Sequence, residues 1–140
     1  MIKVMHVLSD MKVGGAGKWL INLLKAADRS RFEIKVVLPS GSMLIDIIKG
    51  LGYEVVTVDG MQDKSFDKGT IALLYKMFKN YKPHIVHTHA SLSARIAARM
   101  AGVKAVVHTK HCIDAPKKGL AKSAGAFVNS RLSDRIIAVS

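Results

Sequence analysis

The fold is decided by residues 2–18, which run Ile2-Lys-Val-Met-His-Val-Leu-Ser-Asp-Met-Lys-Val-Gly-Gly-Ala-Gly-Lys18. The short apolar run over 2–8 predicts a buried strand, and turn residues follow it at Ser9 and Asp10. A helix is predicted from about Ala16, because apolar residues then recur with a helical period as far as Ala27. A strand that enters a helix through glycines leaves unpaired backbone N–H groups at the point where an anion can bind.

The rest of the chain repeats this strand–helix unit. Further strands are predicted at 31–38, 54–58, 84–89, 104–109 and 135–139. Further helices are predicted after a Ser42 cap, over 70–81, over 91–101 and, in part, within a basic connection over 116–133. Six strands that alternate with helices, without hairpin signals, predict an α/β fold with a Rossmann-like, doubly wound parallel sheet.

In such a sheet, ligands bind at the carboxyl ends of the strands. Those ends are predicted to be the loops at 9–17, 39–42, 89–91 and 109–116. Residues 59–69 show no periodicity and are predicted to form a further loop.

The chain is strongly basic. It has 140 residues, the size of one domain, and 22 Lys and Arg against 10 Asp and Glu give a net charge of +12. This balance favours an anionic partner: nucleic acid, a phosphorylated small molecule or an acidic membrane surface. No apolar run approaches the roughly 18 residues of a membrane span, and the start of the chain lacks signal-peptide features, so a cytoplasmic location is expected. The single cysteine, Cys112, excludes an internal disulfide and is interpreted as a packed thiol.

Three chemistries use glycines between a strand and a helix. A dinucleotide fold is disfavoured, because Leu20 stands where the third glycine belongs and the second strand ends without an acidic residue. A P-loop is disfavoured, because Lys12 replaces its first glycine and Trp19 replaces the hydroxyl that would ligate magnesium. A sugar-nucleotide transferase needs only a tight turn whose N–H groups approach a diphosphate, and Gly14-Gly15 suffices for that. A turn that merely allows close packing explains these glycines equally well.

The chain has six histidines. His87 and His89 share one face of the predicted fourth strand, and His89 lies at its carboxyl end, where an imidazole could bond a sugar hydroxyl. His6, His84 and His87 are interpreted as ordinary packing residues, whereas His108 and His111 lie at the matching end of the fifth strand. A zinc site built from His87, His89 and His111 is a further interpretation, which the lack of an accompanying Cys or carboxylate pattern disfavours.

Five motifs together resemble a known family. They are Gly14-Gly-Ala-Gly-Lys-Trp-Leu-Ile-Asn-Leu-Leu24, Leu38-Pro-Ser-Gly-Ser42, Pro83-His-Ile-Val-His-Thr-His89, Val106-Val-His-Thr-Lys-His111 and Ser133-Asp-Arg-Ile-Ile-Ala-Val-Ser140. In order and spacing they resemble the N-terminal domain of family 4 (group 1) retaining glycosyltransferases of the GT-B fold. The resemblance covers nearly the whole chain.

The resemblance implies that residues 1–140 form the acceptor-side half of a two-domain enzyme, with the C-terminal donor-binding domain absent from this chain. The whole enzyme would transfer a hexose from a nucleotide-sugar to a glycan or lipid-linked acceptor, in cell-envelope polysaccharide or lipopolysaccharide synthesis, without a metal cofactor. It further implies that Gly14, Gly15 and Lys18 approach the donor diphosphate, that His89 contacts the donor sugar, and that Lys110 and His111 line the acceptor side.

The 140 residues alone are expected to fold, to bind the sugar donor weakly if at all, and not to catalyse sugar transfer, because they supply only half of the cleft. The gene is expected either to continue into a second domain or to encode a half that needs a partner chain.

The basic surface has two interpretations. It is either a solvated surface of the protein, or a surface that contacts the inner face of an anionic membrane peripherally. It comprises Lys64, Lys68, Lys76, Lys79, Lys82, Lys117, Lys118 and Lys122. The non-enzymatic alternative is a basic anion-binding or nucleic-acid-binding Rossmann-like module. Nucleic acid is not the expected partner, because the basic residues are scattered, aromatic residues are only 6% and no recognition motif is present.

Overall fold

The computed structural model describes residues 1–111, 127 and 130–139. Strands and helices alternate along it as the sequence predicts. They are β1 (Ile2–Leu8), α1 (Gly15–Ala26), β2 (Phe32–Pro39), α2 (Leu44–Gly50), β3 (Glu54–Val58), α3 (Lys68–Tyr81), β4 (Ile85–His89), α4 (Leu92–Ala101), β5 (Ala105–Lys110) and β6 (Arg135–Ala138). Cys112, Lys117, Lys118, Lys122 and most of the predicted connection over 116–133 lie outside the described residues.

The six strands form one parallel sheet in the order β3-β2-β1-β4-β5-β6. The prediction of a doubly wound, Rossmann-like sheet is therefore confirmed. The chain winds outward from β1 in both directions, so the crevice between the carboxyl ends of β1 and β4 is the point at which the strand order reverses. We call the edge of the sheet at which all six strands end the carboxyl edge.

Two hydrophobic layers cover the sheet, one on each face. Residues of β1 alternate between them, so that Met5 and Val7 pack under α3 and α4, whereas Val4 and Leu8 pack under α1 and α2. The helices that cover the sheet contribute fully buried residues: Leu20, Leu24, Leu44 and Ile48 on one side and Leu74, Phe78, Ala94, Ala97 and Ala98 on the other. His6 has the same parity as Val4 and Leu8 and therefore faces the side covered by α1.

Helix starts differ slightly from the predicted ones. Helix α3 begins at Lys68, two residues before the predicted Thr70, because the Asp67 carboxylate accepts the Thr70 N–H at 2.8 Å and caps the helix. Helix α1 begins at Gly15 rather than at Ala16. Of the described helices, none is long and apolar enough to cross a membrane.

Ser42 is not the N-cap residue of α2, because Met43 occupies that position. The Ser42 hydroxyl nevertheless accepts the Leu44 N–H at 3.3 Å and donates to the Asp10 carbonyl at 2.8 Å. Ser42 therefore ties the start of α2 to the end of β1, which fixes one wall of the carboxyl edge.

Candidate functional site

The glycine turn, residues 12–17, connects β1 to α1 at the carboxyl edge. Gly14 is the N-cap residue of α1, with extended backbone angles (φ −89°, ψ −165°), and within the described part of the chain no side chain caps it. The Gly14 carbonyl accepts the Lys18 N–H at 3.0 Å, which is the first hydrogen bond of the helix. The N–H groups of the first helical turn therefore point away from the helix without a helical acceptor, and the helix dipole favours an anion there.

The glycines of this turn have different surroundings. A Cβ atom at Gly17 would lie 2.9 Å from Leu44 Cδ2, so Gly17 is needed for the close approach of α1 to α2. A Cβ atom at Gly14 or Gly15 would have nothing within 4 Å. Packing therefore explains Gly17, whereas Gly14 and Gly15 border open space.

Four histidines meet beneath this turn, and we call His6, His87, His89 and His111 the histidine cluster. Parallel pairing of β1 with β4 sets His6 beside His87. His89 lies between two neighbours, with Nε2 3.4 Å from His6 Nδ1 and Nδ1 2.9 Å from His111 Nε2. The His87 and His89 rings are stacked, with centroids 4.6 Å apart, and His87 Nε2 lies 2.7 Å from the Thr109 hydroxyl.

Trp19 of α1 covers the cluster. Its ring centroid lies 5.6 Å from that of His87, 5.3 Å from that of His89 and 5.8 Å from that of His111. The side chain of His89 is 0% exposed as a result. A direct contact between His89 and a donor sugar would therefore require Trp19 or His111 to move. Half-buried His111 is the member of the cluster that reaches the edge of the cleft.

A model of Glycosyltransferase Family 4 matches residues 13–140 of the sequence. This chain belongs to Glycosyltransferase Family 4. UDP-Gal:alpha-D-GlcNAc-diphosphoundecaprenol alpha-1,3-galactosyltransferase of Escherichia coli is 31% identical over 115 residues, which make up 79% of this chain and 30% of that enzyme. The family resemblance predicted from the sequence is therefore confirmed.

Solved structures show the same fold. A glycosyltransferase from Rickettsia africae has a TM-score of 0.76 at 17% identity, over 99% of this chain and 37% of that one. Anabaena Alr3699/HepE in complex with UDP and glucose has a TM-score of 0.72 at 16% identity, over 97% of this chain and 38% of that one. The family 4 chain described here thus spans well under half the length of the relatives it matches.

The remaining predicted site residues of this family 4 chain lie around the same edge. Lys18 is exposed on the first turn of α1, and Lys110 is half-buried at the end of β5, directly before His111. His111 lies on the face of β5 that carries Thr109 and the histidine cluster, whereas Lys110 alternates to the other face, which carries His108. Lys18 lies beside the glycine turn.

Burial controls the charge of the histidines. It lowers the pKa of His6 to about 3, with His87 contributing, and the pKa of His87 to about 4, with His108 and His111 contributing. The pKa of His89 is lowered well below its ordinary value, again mainly by burial. These imidazoles are therefore neutral at physiological pH, so each carries one donor and one acceptor nitrogen.

Two acidic residues at the carboxyl edge were not singled out by the sequence pattern. Burial raises the pKa of Asp10, and nearby Asp63 raises it further, whereas His111 lowers it. Asp63 reaches the edge because its N–H donates to the Ser9 carbonyl at 2.8 Å and its carboxylate accepts the Met11 N–H at 3.3 Å. The loop after β3 is therefore a fifth wall of the site, beside the four that the sequence predicts.

Ala90, directly after His89, has a left-handed backbone conformation with φ 63°. Such a conformation costs a non-glycine residue on the order of 1 kcal/mol, and it occurs preferentially at functional sites. It is held by the Ser65 hydroxyl, which donates to the Ala90 carbonyl at 2.9 Å. The loop after β3 thereby also fixes the turn after β4.

Proposed function

We propose that this chain is the acceptor-side, N-terminal half of a retaining glycosyltransferase that transfers a hexose from a nucleotide-sugar to a glycan or lipid-linked acceptor in the cell envelope. The observation that carries the proposal is the glycine turn, where uncapped N–H groups and two glycines border open space at the crevice between β1 and β4. Two relatives support it: the Escherichia coli enzyme is named for a UDP-galactose donor and a diphosphoundecaprenol acceptor, and the Anabaena protein was solved with UDP and glucose.

The proposed reaction breaks the bond between the anomeric carbon and the donor diphosphate, and it forms a bond from that carbon to an acceptor hydroxyl on the same face of the sugar. The hydroxyl proton leaves with the diphosphate. The developing negative charge on the diphosphate is stabilised by the backbone N–H groups after Gly14 and Gly15 and by Lys18. Lys110 and His111 hold the acceptor, and no metal ion is required for this step.

We assign His89 two roles in the proposed reaction. Through its 2.9 Å hydrogen bond it orients His111 at the cleft, and it contacts the donor sugar itself only after Trp19 or His111 has moved. Positioning of this kind is worth several kcal/mol only when both walls of a cleft are present. The isolated chain is therefore expected to transfer no sugar, and transfer by the purified 140-residue chain would contradict the proposal of a half-site.

The glycine turn can be tested directly by NMR. Addition of UDP to the isotope-labelled chain is expected to shift the amide resonances of Gly14 and Gly15, whereas those of Gly52 and Gly102, which precede β3 and β5 at the opposite edge of the sheet, stay in place. The physical reason is that a diphosphate bonds to the uncapped N–H groups at the start of α1. Uridine without phosphate is expected to cause no such shift.

A substitution sharpens this test. Gly14→Ala is expected to fold with a loss of at most about 1 kcal/mol, because the position has extended backbone angles and open space for a Cβ atom, but alanine is a poorer N-cap than glycine. It is expected to weaken UDP binding about fivefold, or about 1 kcal/mol, because the added methyl group occupies the open space that the diphosphate would enter. Gly50→Ala, equally free of close contacts at the end of α2, is the matched control. Equal shifts across all basic surfaces, or unchanged affinity in Gly14→Ala, would instead favour a non-enzymatic anion-binding module.

We also propose that the surface around α3 contacts an anionic membrane. Lys64, Lys68, Lys76, Lys79 and Lys82 are all exposed there. Phe66 and Leu73, on the same segment, are 50% and 49% exposed, so cationic and apolar groups occur together, as in interfacial helices. Because a lipid-linked acceptor is anchored in a membrane, an enzyme that uses one must work close to the membrane surface.

Vesicle sedimentation checks this proposal. The chain is expected to pellet with vesicles that contain anionic lipid, to remain in solution with neutral vesicles, and to be released as salt is raised. Replacement of Lys76 and Lys79 by Gln is expected to weaken binding several-fold, while the exposed lysines Lys49 and Lys104, replaced in the same way, serve as the charge-matched control. Equal losses in both double variants would show that net charge, and not this surface, is responsible.

A further inference from the structure

His6, His87 and His89 bring three ring nitrogens together, one from each residue, all within 4.8 Å of one another. All three side chains are buried, with exposures of 2%, 7% and 0%. They come from two adjacent strands whose backbones are fixed by the parallel pairing of β1 with β4. The positions of the three nitrogens are thus set by the sheet itself and not by a loop.

The spacing suits a metal ion. His6 Nδ1 lies 3.4 Å from His89 Nε2. Two nitrogens that bind one tetrahedral ion at 2.0–2.1 Å are separated by about 3.3 Å. The pair therefore already has the separation that a shared ligand site needs.

In two of these rings, the nitrogen that does not face the other two histidines is hydrogen-bonded to a neighbouring side chain. Metal-ligating histidines normally have such a partner. His89 Nδ1 lies 2.9 Å from His111 Nε2, so a proton on Nδ1 leaves Nε2 as a lone pair that faces His6. The His87 ring is oriented by the Thr109 hydroxyl. His111 thus serves as the hydrogen-bond partner of a ligand, which differs from the sequence-based interpretation in which it was itself a zinc ligand.

We propose that His6, His87 and His89 form a site for a divalent transition-metal ion, with Zn²⁺ as the preferred occupant. Imidazole nitrogens suit zinc, cobalt, nickel and copper, whereas magnesium and calcium prefer oxygen ligands. The ion ties β1 to β4 at the crevice and is structural. In the zinc-bound chain His89 orients His111 through its Nδ1 atom and makes no contact with the donor sugar.

An ion has a route to this site. A cavity of about 790 Å³ lies between α1 and the sheet, and His6 and His87 form part of its wall. The rest of the wall is largely apolar, with Val4, Leu23 and Val107 among its residues. A water molecule from this cavity would complete a four-coordinate site made of three histidines.

Calorimetry with zinc tests the proposal. The untagged chain is treated with EDTA, desalted and titrated with ZnCl₂, and one ion per chain is expected to bind and to raise the thermal midpoint. Cys112→Ser is expected to bind equally well, which excludes the thiol as a ligand. His6→Gln is expected to weaken zinc binding at least 100-fold, whereas His84→Gln, on an exposed histidine outside the cluster, is expected to change nothing.

If His6→Gln fails to fold, visible spectroscopy of the unmodified chain with Co²⁺ tests the metal site instead. The unmodified chain loaded with Co²⁺ is expected to show the intense visible bands of a tetrahedral ion, which zinc then abolishes. The absence of stoichiometric zinc binding, equal affinity in His6→Gln, or only the faint bands of six-coordinate cobalt would each overturn the proposal. None of these results changes the UDP-dependent shifts of Gly14 and Gly15, so the proposed function is tested separately.

Discussion

The metal-free protein is expected to lose about 5 kcal/mol of its free energy of unfolding between pH 7.5 and pH 5.5. The cause is four buried histidines, His6, His87, His89 and His108, whose pKa values in the folded state lie well below the ordinary 6.5. In the unfolded chain these imidazoles take up protons as the pH falls through 6.5, whereas in the folded chain they stay neutral. Protons therefore favour unfolding in this window, and each histidine contributes about 1.4 kcal/mol over the two pH units, most of it below pH 6.5.

Charged residues near the histidines also change the histidine pKa values, and therefore the pH dependence of stability. Arg95 and Lys110 lower the pKa of His108 further, and Asp10 opposes the lowering only at His111. The loss of stability is expected to stop once the pH reaches the folded-state pKa values of about 3 to 4. Asp10 itself has a raised pKa, so in the folded state it binds its proton at a higher pH than in the unfolded chain, which slightly opposes the loss.

Urea unfolding at a series of pH values, with EDTA present, measures this slope. His6→Gln removes one of the titrating groups and is expected to reduce the pH slope by about a quarter, while His84→Gln, which is exposed, should leave it unchanged. A free energy of unfolding that stays constant from pH 7.5 to 5.5 would show that the histidines are hydrated in the folded protein.

Trp19→Ala is expected to lower the free energy of unfolding by about 3 kcal/mol at pH 7.5 and also to flatten its pH dependence. The first effect follows from the loss of the indole packed against His87, His89 and His111. The second follows because water then reaches the cluster, and the pKa values of His87 and His89 rise toward the unfolded value. The two effects together distinguish loss of packing alone from exposure of the histidines.

Trp19→Phe is the matched control for this prediction. It retains an aromatic ring over the cluster, so the pH slope should be kept and only about 1 kcal/mol of stability should be lost. If Trp19→Ala loses stability but keeps the full slope, the cover over the histidines is provided by other parts of the chain.

The strands and the doubly wound parallel architecture were predictable, because each strand is a short apolar run bounded by turn residues and because such runs alternate with helical patterns. The two strand faces were predictable from the alternation of residues such as Met5 and Val7 against Val4 and Leu8. Helix starts were less predictable: Asp67, three residues before the predicted start at Thr70, caps α3 and places its first residue at Lys68.

The site was only half predictable, because its main contacts are set by pairing between distant strands. The sequence places His87 and His89 on one face, but only the β1–β4 register brings His6 beside His87. Asp63 was missed for the same reason, since its bonds to Ser9 and Met11 cross from one loop to another. The burial of His89 beneath Trp19 depends on how α1 packs and has no signature in the strand itself.

The strand order also has a consequence for the kinetics of folding. His6 and His89 are 83 residues apart in the chain, so the junction between β1 and β4 forms only after a long loop has closed. Strands β1 to β3 can associate before β4 is available, and the second half of the sheet then docks onto β1. Trp19 is the only tryptophan of the chain, and it lies directly against the β4 histidines. Its fluorescence therefore records the moment of docking, separately from the earlier appearance of helices in circular dichroism.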